Sequence, residues 1–82
     1  MITVRFFAML KGLVGSEEVE LEGESALTVG ELKKRLIEQY PPLKEVLSSR
    51  SVLVSVNQEF GNDATEVIDG DEVAFLPPFS GG

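Results

Sequence analysis

Two residue patterns carry enough polar chemistry to be weighed as sites, and a third lies at the end of the chain. Glu18, Glu20 and Glu22 alternate along one stretch, and Asp69-Gly70-Asp71 has the opening of a calcium-binding loop. Oxygen-rich clusters suit calcium or magnesium. Alternating glutamates on a strand point into solvent, however, and blunt an exposed edge. The aspartate pair lacks the glycine and the distal glutamate at the spacing a calcium loop requires, which leaves a turn. No metal site is expected. The sequence contains no histidine and no cysteine. It therefore lacks the commonest general base near neutral pH, any thiolate nucleophile and any sulfur-based metal site. What remains is Ser80-Gly81-Gly82, a terminal carboxylate carried on two residues without side chains. A carboxylate becomes electrophilic only when another protein gives it a leaving group. Glycines let such an end pass through a narrow slot where any β-carbon would meet the walls.

The residues before that end bear on whether it is used. Pro77 and Pro78 cannot continue a strand ladder and favour an extended, stiff path, so 77–82 is expected to project from the domain. Six residues at about 3.3 Å each reach about 20 Å, comparable with the depth of an active-site channel. Chain ends ordinarily fray and are polar. Here Leu76, Pro77, Pro78 and Phe79 offer apolar groups suited to a partner surface. Gly82 is the expected chemical site, Gly81 and Ser80 give it access, and Phe75 through Phe79 are candidates for partner contact. Phe75 fits a core position equally well.

A domain must hold this tail out. Ile2, Val4 and Phe6 alternate with Thr3 and Arg5, which predicts a first strand with one buried face. Ala8 to Val14 predicts a short helical turn closed by Gly15. Glu18–Glu22 predicts a second strand with Val19 and Leu21 inward. Thr28-Val29-Gly30-Glu31 has the form of a capping box. Behind it Val29, Leu32, Leu36, Ile37 and Tyr40 share one helical face, with Lys33, Lys34 and Glu38 away from it. Pro41-Pro42 stops this helix, and Leu43–Leu47 allows one more turn. Val52–Val56 predicts a buried strand, followed by a turn at Asn57-Gln58 and a short return at Glu59-Phe60. Val73–Leu76 is the last strand. Strand, strand, helix, then two or three strands is the order of an α+β β-grasp (ubiquitin-like) domain. Its mixed sheet has four to five strands and one main helix on one face. A split β-α-β, ferredoxin-like order is the competing arrangement.

The chain has 82 residues, 43% hydrophobic and 26% charged, the balance of one soluble globular domain. Residues 1–76 are read as the β-grasp domain and 77–82 as its tail. The net charge of −7 is the wrong sign for a phosphate backbone, so nucleic acid is not an expected partner. With no secretory signal and no long apolar run, a cytoplasmic protein away from membranes is the expectation.

The ending Val73-Ala74-Phe75-Leu76-Pro77-Pro78-Phe79-Ser80-Gly81-Gly82 resembles that of the small subunit of molybdopterin synthase, the MoaD type among ubiquitin-like sulfur carriers. Val4-Arg5-Phe6-Phe7-Ala8 with Leu13-Val14-Gly15 is similar to the family's opening, and Val56-Asn57-Gln58-Glu59 to its central hairpin. Met9-Leu10-Lys11 and Phe79 depart from the family pattern, which often has arginines and a small residue or valine there. The resemblance covers essentially the whole chain. It implies that an activating enzyme of the MoeB type, using ATP and magnesium, converts the Gly82 carboxylate to an acyl-adenylate. A sulfur donor protein then displaces the nucleotide to leave a thiocarboxylate. It further implies that the large subunit, of the MoaE type, accepts this sulfur into cyclic pyranopterin monophosphate for molybdenum cofactor biosynthesis. On this reading the chain is a co-substrate with no permanently bound cofactor, and the catalytic side chains lie on the large subunit. Alternatives are a sulfur carrier for thiamine or cysteine biosynthesis, a ubiquitin-like protein modifier, and a non-catalytic β-grasp interaction module.

Overall fold

The computed structural model describes residues 1–7, 9–23, 26–48 and 52–76. Strand β1, Ile2–Phe6, buries Ile2, Val4 and Phe6 and turns Thr3 and Arg5 outward, as its alternation predicts. A short helix α1, Met9–Val14, buries Leu10 and closes at Gly15, whose φ of 84° lies in the left-handed region that favours glycine. Strand β2, Glu18–Leu21, returns antiparallel to β1, with Ile2 opposite Leu21 and Arg5 opposite Glu18.

The main helix α2, Val29–Gln39, starts at a complete capping box. The Thr28 hydroxyl accepts from the Glu31 N–H at 3.2 Å, and the Glu31 carboxylate accepts from the Thr28 N–H at 3.0 Å. Two donors that a helix start leaves without intrahelical partners are thereby satisfied. Val29, Leu32 and Leu36 are buried, with Ile37 and Tyr40 partly so, as the helical spacing requires. Lys33 departs from expectation. Its side chain is only 16% exposed, and its ammonium pairs with the exposed Asp63 carboxylate at 2.7 Å. Beyond Pro41-Pro42, helix α3, Leu43–Leu47, buries Leu43 and Leu47.

Two further two-residue strands, β3 at Leu27–Thr28 and β6 at Glu66–Val67, pair antiparallel in a small second sheet beside the start of α2. The sequence does not announce them, since two residues cannot show a period. Strands β4, Leu53–Val56, and β5, Glu59–Phe60, form a hairpin through Asn57 and Gln58, which both have positive φ. Strand β7, Glu72–Leu76, completes the main sheet, whose order is β2-β1-β7-β4-β5. β7 runs parallel to β1 and antiparallel to β4, so the last strand of the domain lies at the centre. A hairpin, a helix crossing one face, and a last strand inserted beside the first is the β-grasp arrangement. The helix-facing side of the sheet carries the core, in which Phe6 and Phe75 stack at 6.2 Å between ring centroids.

Asp69 and Asp71 serve turns and ties. The Asp71 carboxylate accepts from the Ile68 N–H and from the Asn57 side-chain NH2, both at 2.9 Å, while the Asn57 side-chain oxygen Oδ1 accepts from the Glu72 N–H at 3.0 Å. Asp69 lies against the amino terminus.

Candidate functional site

Pro77, Pro78, Phe79, Ser80, Gly81 and Gly82 lie outside the described residues, so the site's geometry is that of the surface from which they depart. Leu76 is its root. It ends the third of five strands, flanked by β1 on one side and β4 on the other. Strand side chains alternate, so Glu72, Ala74 and Leu76 share the face away from α2, while Val73 and Phe75 point into the core.

That placement decides between the two readings of Phe75 in favour of the core. Phe75 is 0% exposed and stacked on Phe6, so it has no surface to present to a partner. The neighbours of Leu76 on the open face take its place. Pairing sets Leu53 directly opposite Leu76, and sets Phe6 opposite Phe75, which brings Phe7 to the level of Leu76 on β1's side. Leu53 and Phe7 are exposed, and Phe60, opposite Ser55, is the most exposed large apolar side chain among the described residues at 75%. Leu53 and Phe60 belong to two strands and Phe7 follows the end of a third, and only the register brings them to one face beside the tail root.

Away from the root the open face becomes charged. One register row runs Glu18, Arg5, Ala74, Ser55, Phe60, and the next holds Glu20, Thr3 and Glu72. Arg5 sits between these halves, its guanidinium 5.9 Å from the centre of the Phe7 ring and 3.9 Å from the Glu72 carboxylate. The sheet thus grades from apolar at the root to acidic at its far end.

Among the described residues no group of three or more His, Cys, Asp or Glu side chains is disposed to hold a metal ion. A groove between α3 and residues 61–64, about 590 Å³, is lined by Lys33, Leu47, Val54 and Asp63, and among the described residues its charged groups are the paired Lys33 and Asp63. The Glu31 carboxyl is held below the usual glutamate range first by the Thr28 backbone N–H and then by the Thr28 hydroxyl, which is capping chemistry. Among the described residues no helix is long and apolar enough to cross a membrane.

One main helix on one face of a mixed five-stranded sheet, whose last strand lies at the centre, defines a ubiquitin-like β-grasp domain. The ThiS family model matches residues 4–82, and the chain belongs to the ThiS family. It is 37% identical over 82 residues to the molybdopterin synthase sulfur carrier subunit of Escherichia coli (strain K12), covering 100% of both chains. Its fold matches that of small archaeal modifier protein 1 from Haloferax volcanii with a TM-score of 0.88, at 28% identity over 99% of this chain and 98% of that one. It also matches a chain in the complex of subunits 1 and 2 of the molybdopterin-converting factor from Helicobacter pylori, with a TM-score of 0.68 and 28% identity, over 99% and 97%.

Proposed function

We propose that this protein is the sulfur carrier subunit of a molybdopterin synthase. The observation that carries the reading is the 37% identity, across the whole of both chains, to a carrier subunit of that enzyme. The structure supports it in a second way. A co-substrate needs a rigid platform and a projecting end, and the described residues supply a platform with exposed apolar side chains at the tail root.

In this role the Gly82 carboxylate attacks the α-phosphate of ATP on an activating enzyme and becomes an acyl-adenylate, with pyrophosphate leaving. Sulfur at the sulfide level then adds to the acyl carbon and AMP departs, leaving a thiocarboxylate. The charged end enters the large subunit and gives its sulfur to cyclic pyranopterin monophosphate. Gly81 keeps the end slender, Pro77 and Pro78 direct it, and Leu76 with Phe7, Leu53 and Phe60 seats the domain against its partner. The donor set of the described residues is consistent with this division of labour, since no step requires a nucleophile or base on the carrier.

The test is an intact mass after incubation with an adenylating enzyme of the MoeB type from the same genome, magnesium-ATP and sulfide. A gain equal to the replacement of one oxygen by sulfur, localised to Gly82 and absent when Gly81-Gly82 is deleted, is the expected result. An unchanged terminus in the presence of demonstrably active enzyme would overturn the reading. The likeness to small archaeal modifier protein 1 favours one second reading, attachment of Gly82 to amines of other proteins, which the same incubation with cell extract would reveal as isopeptide-linked adducts.

A further inference from the structure

Phe7 stands beside the tail root just past the end of its strand. β1 ends at Phe6, and its paired register with β2 ends where Arg5 faces Glu18. The backbone there is fixed on both sides. The Phe6 N–H donates to the Glu17 carbonyl at 2.9 Å, and the Phe7 carbonyl accepts from the Leu10 N–H at 3.1 Å. These bonds do not fix the Phe7 ring, which is 38% exposed and lies outside the core that holds Phe6. Arg5, two residues earlier and so on the same face, sets its guanidinium over that ring, 5.9 Å from the centroid.

The Arg5 side chain is held in its turn. Ala74 lies opposite it on β7, and so small a residue leaves the space above the central strand open to the guanidinium, which comes within 3.9 Å of the Glu72 carboxylate. Glu72 is tied at its backbone, its N–H donating to Asn57 Oδ1 at 3.0 Å and its carbonyl accepting from the Asn57 N–H at 2.7 Å. A line of contacts thus runs Asn57, Glu72, Arg5, Phe7, from the β4–β5 turn to the level where the tail departs. An exposed ion pair at such a separation adds little to the stability of a fold. The line ends instead on an exposed aromatic ring.

We propose that Arg5 is a positioning residue, which holds the Phe7 ring in one rotamer so that the surface beside Leu76 is already arranged when the large subunit docks. This deepens the carrier reading above and rests on it. A surface phenylalanine that nothing holds samples several staggered χ1 positions, and a partner that buries it must stop that motion. A cation over the ring at an exposed site removes part of that cost beforehand, equivalent to about two- to fivefold in affinity. Arg5 stands two residues back from the level of Leu76, and Gly82 lies six residues beyond Leu76 in the sequence. The effect therefore belongs to binding and not to the transfer step.

A double-mutant cycle on the full chain, with a large subunit of the MoaE type from the same genome, tests this. Arg5→Met keeps an unbranched stem and removes the cation. Its dissociation constant should rise about two- to fivefold, with the rate of sulfur transfer at saturating large subunit unchanged. Arg5→Lys, which restores a cation without the planar guanidinium, should recover part of the loss. In a Phe7→Leu background, Arg5→Met should have no further effect on binding. NMR of the chain alone reads the ring directly: couplings about the Phe7 Cα–Cβ bond should report one rotamer in wild type and an average in Arg5→Met, while the unfolding midpoint stays the same. An equal loss of binding in the Phe7→Leu background would show Arg5 acting on the partner by itself and overturn the proposal. So would an averaged Phe7 ring in the wild-type chain, unchanged binding in Arg5→Met, or a slower saturated transfer with binding intact. If the wild-type terminus gains no sulfur in the mass assay, the carrier reading fails and this role of Arg5 with it; if it is charged and delivers its sulfur, and Arg5→Met binds like wild type, only the positioning role fails.

Discussion

The Phe75 ring stacks on Phe6 with no exposed surface, while Leu76, the next residue, lies half-buried on the opposite side of the sheet beside exposed Leu53. The two should respond to substitution in different assays. Phe75→Ala removes a fully buried ring and should cost about 3–5 kcal/mol of stability, read by chemical denaturation. For a domain of this size that is a large share of the total. Leu53→Ala removes an exposed side chain and should leave the denaturation midpoint nearly unmoved, while raising the dissociation rate from the partner several-fold. Equal stability losses in the two variants would mean that the strip is structural. Asn57 makes a third kind of contribution. Its amide bridges Asp71 and the Glu72 backbone across the sheet, and its own φ of 52° suits asparagine. Asn57→Ala should cost about 1–2 kcal/mol, through two lost hydrogen bonds and a less tolerant side chain in the turn.

The elements differ in how plainly the sequence declares them. β1 and α2 carry a period, a cap and a stop: Ile2-Thr3-Val4 alternates, Thr28 and Glu31 stand three apart, and Pro41-Pro42 ends the run. β3 and β6 carry none of these and exist because residues 61–67 return past the start of α2, where the Val29 N–H donates to the Thr65 carbonyl and the Gly30 N–H to the Asp63 carbonyl. Gly61 belongs to that return, for a Cβ there would stand 2.6 Å from the Thr65 hydroxyl. The same distinction applies to the candidate site. The tail's composition is legible one residue at a time, but the strip of Phe7, Leu53 and Phe60 depends on register among three strands, which local pattern does not contain. Phe75 shows the same dependence, since an aromatic near the chain end fits contact and core equally until pairing assigns its face. At the cap, Thr28→Ala should destabilise by about 1 kcal/mol, read as a lowered melting temperature. The Glu31 side of the box is acid-sensitive. Its folded-state acidity is lowered, so its contribution is present above the ordinary glutamate range and lost as pH falls through its folded value. The melting-temperature gap between wild type and Glu31→Ala should therefore narrow on acidification, and a gap that widened would contradict the assignment.

For the molecule as a whole, the order β2-β1-β7-β4-β5 places the most heavily paired strands, β1 and β7, at the centre and the two-residue β5 at an edge. Native-state hydrogen exchange should follow that order. Amides of Val4, Ala74 and Phe75 should open only with global unfolding, while those around Phe60 and in the β3–β6 pair exchange earlier. Uniform protection across the sheet would contradict it.

The central position of β7 also has a mechanical meaning. A partner that draws on the residues after Leu76 pulls along the axis of a strand laddered on both sides, parallel to β1 and antiparallel to β4. Hydrogen bonds in both ladders then bear the load side by side and must give way together. A terminal edge strand pulled outward would instead peel one bond at a time. Loaded in this way the strand is held in shear, so traction on it would be transmitted to the whole sheet before any part yields.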